Sequence, residues 1–143
     1  MSREAPDAWR RPSGWEEAVA ASVDVLIVED EPGILESLEF ILRRAGWSIG
    51  TVTDGDAALD AVRRLNPRMM VLDVMLPKRS GFEVLKQIRA EERTRNLPVL
   101  ILTAKGQQQD RRVAEALGAS GFVTKPYANA EVIGAVRQLL GGS

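Results

Sequence analysis

Four acidic side chains are the residues of this sequence best suited to chemistry. Glu29, Asp30 and Glu31 directly follow the apolar run "VDVLIV", and Asp73 interrupts a second run, "MMVLDVMLP". A buried carboxylate is unfavourable unless it is paired with a cation or hydrogen-bonded. The position of Asp73 is therefore better explained by chemistry at the end of a strand than by packing.

A hydroxyl group and an amine follow two further apolar runs. Thr103 ends "LPVLILT", and Lys125 follows "SGFVT" and precedes Pro126. Taken singly, each candidate has an ordinary explanation, because acids after a strand often cap the next helix and lysine is common at the surface. Together they require several coincidences, which favours a common site.

Carboxylates, a hydroxyl and an amine in one place suit a small, hard cation and a phosphoryl group. Magnesium takes oxygen ligands and keeps several waters, so two carboxylates and a backbone carbonyl suffice. A carboxylate can attack phosphorus to give an acyl phosphate, and cationic or hydroxyl groups stabilise the transferred oxygens. The sequence lacks a GxxxxGK[ST] loop, so nucleotide binding is not suggested.

Apolar periodicity predicts five strands that alternate with five helices. The strands are predicted at 23–28, 47–52, 69–74, 97–103 and 120–124, and the helices at 32–46, 54–67, 80–92, 108–118 and 129–140. This alternation predicts an α/β fold, a doubly wound five-stranded parallel sheet flanked by five helices. Ligands of such sheets bind at the carboxyl ends of the strands, where all the candidate residues lie.

The composition excludes several classes of function. The chain has 143 residues, the size of one domain, with 45% apolar and 27% charged residues. A net charge of −1 argues against a nucleic-acid interface, and the lack of cysteine excludes disulfides and thiolate metal sites. The sequence also lacks histidine, so any phosphohistidine must come from another molecule.

The two ends of the chain differ from the predicted domain at 23–140. Residues 1–22 are expected to form a mobile or briefly helical extension, and residues 141–143 a flexible C-terminus. The sequence has no apolar run of the roughly 20 residues that a membrane span needs and no signal-peptide core. The expected location is the cytoplasm, with no membrane partner.

Four separated motifs resemble those of one known family. "VLIVEDEP", "MMVLDVMLPKRSGFEVL", "VLILTAKG" and "GFVTKPY" resemble, in order and spacing, the receiver domains of two-component response regulators. The resemblance covers residues 23 to about 140 and implies a flavodoxin-like receiver fold. It also implies a phospho-accepting switch rather than an enzyme. Such a switch assists its own phosphorylation and dephosphorylation.

The resemblance implies a partner on each side of the switch. A histidine kinase or histidine phosphotransfer protein would donate the phosphoryl group in a magnesium-dependent reaction. A downstream effector would then bind through the face of helix four, strand five and helix five, and phosphorylation would allow a homodimer. The domain itself is not expected to bind nucleic acid.

The resemblance also assigns roles to the acidic residues. Asp73 matches the phosphoacceptor, and Glu29 and Asp30 match the acidic pair that holds magnesium. Asp73 and the backbone carbonyl of Met75 match the remaining protein ligands of the metal. Glu29 replaces the commoner aspartate of the family and moves its carboxylate outward by one methylene.

Three further residues match the family's phosphoryl contacts and switch. Thr103 and Lys125 match the hydroxyl and the amine that contact the phosphoryl group. Thr103 and Phe122 match the pair whose rearrangement follows phosphorylation. Phe122 has no hydroxyl, so it lacks the hydrogen bond that a tyrosine there could donate.

Three alternatives remain open at this stage. The chain could be the receiver fragment of a larger DNA-binding regulator. It could be a pseudo-receiver that signals through protein contacts alone. An aspartyl-phosphate phosphatase of the dehalogenase type is the third, although it would need a second aspartate where Met75 stands.

Overall fold

The computed structural model describes residues 22–104 and 108–141. Within them, one sheet of five strands is flanked by five helices. The strands are β1 (Val25–Val28), β2 (Ile49–Val52), β3 (Met69–Asp73), β4 (Val99–Ala104) and β5 (Gly121–Lys125). The helices are α1 (Pro32–Arg44), α2 (Gly55–Leu65), α3 (Gly81–Ala90), α4 (Gln108–Ala116) and α5 (Asn129–Leu139).

The strands pair in the order β2-β1-β3-β4-β5, and every pairing is parallel. The predicted doubly wound parallel sheet is thus confirmed. The chain moves first to one side of β1 and then to the other, so its direction reverses between β1 and β3. Ligands of open α/β sheets bind in the crevice at this reversal, outside the carboxyl ends of the strands.

Two apolar clusters cover the two faces of the sheet. On one face, Val25 and Ile27 of β1 pack with buried residues of α1 and α5. On the other face, Leu26 and Val28 pack with buried residues of α2, α3 and α4. Both faces of β1 are therefore buried, which explains why this strand is continuously apolar rather than alternating.

Local hydrogen bonds shift several predicted boundaries by one or two residues. The second strand was predicted from residue 47 but begins at Ile49, because the Trp47 N–H donates to the Leu42 carbonyl of α1 (3.2 Å). Asp54 caps α2 by accepting from the Ala57 N–H (2.9 Å), so this helix begins at Gly55. At its other end, Asn66 has a φ of 46° and ends the helix.

The predictions for the ends of the chain lie almost entirely outside the described residues. Of the expected extension at 1–22 only Ser22 is described, and of the expected C-terminus at 141–143 only Gly141. Within residues 22–104 and 108–141, no helix combines the length and apolar character needed to cross a bilayer.

Candidate functional site

The carboxyl ends of β1, β3, β4 and β5 meet at one edge of the sheet. Val28 is in register with Leu72, so Glu29 and Asp73 lie side by side at the ends of β1 and β3. Asp73 is in register with Leu102 of β4, which Thr103 follows. On the far side, Ala104 is in register with Lys125 of β5.

Lys125 connects two carboxylates that belong to different strands. Its Nζ lies 2.8 Å from Asp73 Oδ2 and 3.5 Å from Glu29 Oε1. Glu29 is fully buried, Asp73 is 4% exposed, and the lysine is partly exposed. The amine partly neutralises two charges that the strand ends hold away from water.

Backbone amides hold the other oxygens of these carboxylates. The Met75 N–H donates to Asp73 Oδ1 (2.9 Å), and the Glu31 N–H donates to Glu29 Oε2 (3.1 Å). In each case the donor lies two residues after the acid, in the turn that follows the strand. The orientation of each carboxylate is thus set by its own turn.

Burial and the neighbouring Asp73 carboxylate raise the pKa of Glu29 from 4.5 to about 7. Burial alone would lower the pKa of Lys125, but its hydrogen bond to Asp73 and the charges of Asp73 and Glu29 raise it overall. The amine is therefore charged at neutral pH. Together, the two acidic side chains carry more negative charge than the single amine that faces them can balance.

Glu29, Asp30 and Asp73 form a cluster that could hold a metal ion. One carboxylate oxygen from each lies within 4.8 Å of the other two. Asp30 is exposed, whereas Glu29 and Asp73 are buried, so the cluster opens to solvent on one side. Oxygen donors of this kind suit magnesium or calcium.

Gly81 is a residue of the site that the sequence analysis did not identify. Its N–H donates to the Val74 carbonyl (2.9 Å), which brings the start of α3 against the end of β3. A Cβ at this position would lie 2.4 Å from the Asp73 carbonyl oxygen. Only glycine permits this approach, and the "SG" that opens the predicted helix at 80–92 was the available signal.

Of the two predicted switch residues, Thr103 follows the strand partner of Asp73, and Phe122 lies three residues before Lys125. Thr103 is 3% exposed and lies at the end of β4. Phe122 is half-buried on β5, against the cluster formed by α2, α3 and α4, and the Arg111 guanidinium lies 4.8 Å from its ring centroid. The Lys125–Pro126 bond is cis. The site thus gathers Glu29, Asp30, Asp73 and Lys125, with Thr103 on the adjacent strand.

A family model of the response regulator receiver domain matches residues 25–137. The chain belongs to this family. This confirms the predicted receiver domain of a two-component response regulator, a signalling switch. The dehalogenase-type phosphatase is not supported, and Met75 stands where that mechanism would need an aspartate.

Several curated proteins resemble this receiver domain. TcrX of Mycobacterium tuberculosis is 46% identical over 118 residues, which are 82% of this chain and 50% of TcrX. Sensory transduction protein RegX3 of the same species is 43% identical over 116 residues, 81% of this chain and 50% of RegX3. The alkaline phosphatase synthesis transcriptional regulatory protein PhoP of Bacillus subtilis is 40% identical over 116 residues, 81% of this chain and 48% of PhoP. The chain spans about half the length of these relatives.

Solved receiver domains share the fold. That of NtrX from Brucella abortus gives a TM-score of 0.78 at 30% identity, covering 84% of this chain and 100% of the other. The receiver domain of the sensor histidine kinase PA1611 from Pseudomonas aeruginosa gives a TM-score of 0.77 at 30% identity, covering 84% of this chain and 98% of the other. The PA1611 domain was solved with a magnesium ion coordinated in its active-site cleft.

Proposed function

We propose that this receiver domain accepts a phosphoryl group on Asp73. The observation that carries the proposal is the ion pair between Asp73 and Lys125 at the carboxyl edge of the sheet. The same amine also faces the carboxylate of Glu29. A carboxylate is a competent nucleophile towards phosphorus. Its own turn orients it, since the Met75 N–H holds Oδ1.

The transfer step breaks one bond and forms one. An Asp73 carboxylate oxygen attacks the phosphorus of a phosphohistidine on a histidine kinase or a histidine phosphotransfer protein. A phosphorus–oxygen bond forms as the phosphorus–nitrogen bond breaks, and its electron pair stays on the imidazole nitrogen. This chain contains no histidine, so the donor lies outside it.

Glu29, Asp30, Asp73 and the Met75 carbonyl would hold magnesium. Glu29 Oε1 supports this assignment, because it is buried and accepts no hydrogen bond from the described residues. Such an oxygen is costly to bury unless a cation or donor reaches it. When bound, the ion supplies positive charge for the phosphoryl oxygens. The receiver domain of PA1611 binds magnesium in its own cleft.

Lys125 and Thr103 would bind the transferred group. The Lys125 amine already lies 2.8 Å from Asp73 Oδ2, and it would remain close to oxygens attached there. Thr103 is buried at the end of the neighbouring strand, one residue beyond the partner of Asp73. A hydroxyl in this position can turn to donate to a phosphoryl oxygen.

The added charge would change partner binding through Thr103 and Phe122. Phosphorylation adds about two negative charges beside Thr103. Movement of this hydroxyl would let Phe122 shift, and with it the face formed by α4, β5 and α5. This is a shift between two packings, which changes affinity for an effector or for a second copy. Matched relatives named as transcriptional regulators favour an effector in gene control. We expect the protein to act in the cytoplasm.

Phosphorylation with a small acyl phosphate tests the acceptor. The wild-type chain should gain the mass of one phosphoryl group with magnesium, and chelator should prevent it. Asp73→Asn should gain none, because an amide is not nucleophilic here. The matched control is Asp60→Asn, which changes an exposed acid on α2 and should be labelled like the wild type. Base-labile labelling of Asp73→Asn would refute the assignment.

A further inference from the structure

The loop between β3 and α3, residues 74–80, carries the Met75 carbonyl, and its position is set from outside the site. A hydrogen bond from the Gly81 N–H to the Val74 carbonyl links the two ends of the loop. In its middle, the Arg79 N–H donates to the Pro77 carbonyl (2.7 Å) across Lys78, whose φ is 69°. This is a γ-turn with a positive φ, a strained conformation that persists only where neighbouring groups hold it.

The groups that hold the turn belong to the start of α2. The Gly55 N–H donates to the Pro77 carbonyl (3.3 Å). Two ion pairs join the same segments, Asp56 Oδ1 to Arg79 Nε (3.2 Å) and Asp54 Oδ2 to Lys78 Nζ (3.8 Å). The loop is therefore bound through its backbone and through two side chains.

Gly55 also makes this contact sterically possible. A Cβ at this position would lie 1.9 Å from the Arg79 carbonyl oxygen and 2.7 Å from the Arg79 Cβ. The nearest atoms are backbone, so no rotation of a side chain could relieve the overlap. Any larger residue at position 55 must push the loop away from α2. Gln87 of α3 accepts from the Arg79 guanidinium and joins the loop to a second helix.

We propose that Gly55, Asp56 and Arg79 are positioning residues for the divalent cation site. They fix Pro77, and through it Met75 two residues earlier, so that the Met75 carbonyl faces Glu29, Asp30 and Asp73. The inference rests on the proposed function, because it assumes that these residues bind magnesium. None of the three positioning residues belongs to the proposed set of ligands.

Isothermal titration of magnesium into the full chain tests this role. Gly55→Ala should weaken binding about tenfold, because the displaced loop loses one ligand. Arg79→Met and Asp56→Asn should each weaken it about threefold, in line with a partly exposed ion pair. The double variant should bind no more weakly than Arg79→Met alone, since Arg79→Met already removes the contact with Asp56.

The two single variants separate positioning from simple charge. Loss of a positive charge at Arg79 would by itself strengthen binding of a dication, whereas loss of a negative charge at Asp56 would weaken it. Positioning predicts weaker binding for both. Arg64→Met is the matched control, because Arg64 pairs with Asp60 on α2, and it should leave the affinity unchanged. Arg79→Lys, which keeps a charge for Asp56, should recover part of the loss.

Thermal unfolding of the metal-free variants completes the test. A purely structural role would lower the melting temperature and leave the magnesium affinity of the folded protein unchanged, and that result would overturn the inference. If Gly55→Ala does not fold, Arg79→Met and Asp56→Asn decide the matter. If the wild-type chain itself binds no magnesium, the proposed function fails, which is a different outcome.

Discussion

Glu29 and Asp73 differ in how their carboxylate oxygens are satisfied. Asp73 accepts one hydrogen bond at each oxygen, from the Met75 N–H and from Lys125. Among the described residues, Glu29 accepts one at Oε2 and none at Oε1, which lies 3.5 Å from the amine of Lys125. One amine thus serves two acids, and Glu29 carries the less favourable negative charge.

The pKa of Glu29 predicts the pH dependence of metal-free stability. A carboxyl group whose folded pKa is about 7 instead of 4.5 binds more protons in the folded chain between these values. The free energy of unfolding should therefore fall as pH rises from 4.5 to about 7, by about 3 kcal/mol at most. Urea unfolding in chelator at a series of pH values measures it.

The side chain responsible is identified by two matched variants. Glu29→Gln should remove most of this slope, whereas Glu36→Gln, at an exposed position of α1, should retain it. Magnesium should stabilise the wild type more at pH 8 than at pH 5.5, because the ion needs the ionised form. Equal slopes for Glu29→Gln and the wild type would show that another group is responsible.

At the scale of elements, the sequence predicts the strands and the positions at their ends. Asp73 and Lys125 could be placed at one edge because apolar runs end at them and parallel strands share that edge. The contacts of Gly55 and Gly81 could not be predicted. Each depends on the distance between two backbone segments, Gly55 with Arg79 and Gly81 with Asp73, and local patterns do not encode such a distance.

Helix α3 begins so close to β3 that Gly81 has no room for a side chain. Gly81→Ala would place a Cβ 2.4 Å from the Asp73 carbonyl oxygen and 2.8 Å from the Val74 Cα. Either the helix or the end of β3 must move, and we expect a loss of about 2 kcal/mol in the free energy of unfolding. Urea unfolding measures the change.

A second glycine provides the control. Gly134 lies within α5, and a Cβ there would meet nothing within 4 Å. Gly134→Ala should therefore stabilise the chain by about 0.5 kcal/mol, since alanine favours a helix over glycine. If both variants were stabilised, the close approach at Gly81 would not constrain the site.

At the scale of the whole molecule, Arg89 joins two segments at the end of the sheet opposite the site. Its guanidinium donates to the carbonyls of Leu97 (2.7 Å), Arg95 (3.1 Å) and Gly118 (2.9 Å). These carbonyls belong to the connections before β4 and before β5, the two strands that end at Thr103 and Lys125. One side chain therefore ties the starts of the two strands whose far ends are proposed to change on phosphorylation.

This connection predicts that Arg89 stabilises the whole domain. Arg89→Met should lower the free energy of unfolding by about 2 kcal/mol, because three carbonyls lose a charged donor. Arg89→Lys should recover only part of it, since a single ammonium cannot reproduce the planar fork of guanidinium donors. Arg112→Met, at an exposed position of α4, should change stability little. Hydrogen exchange should rise throughout the sheet and most at the starts of β4 and β5 in Arg89→Met. An unchanged free energy of unfolding would argue against this role of Arg89.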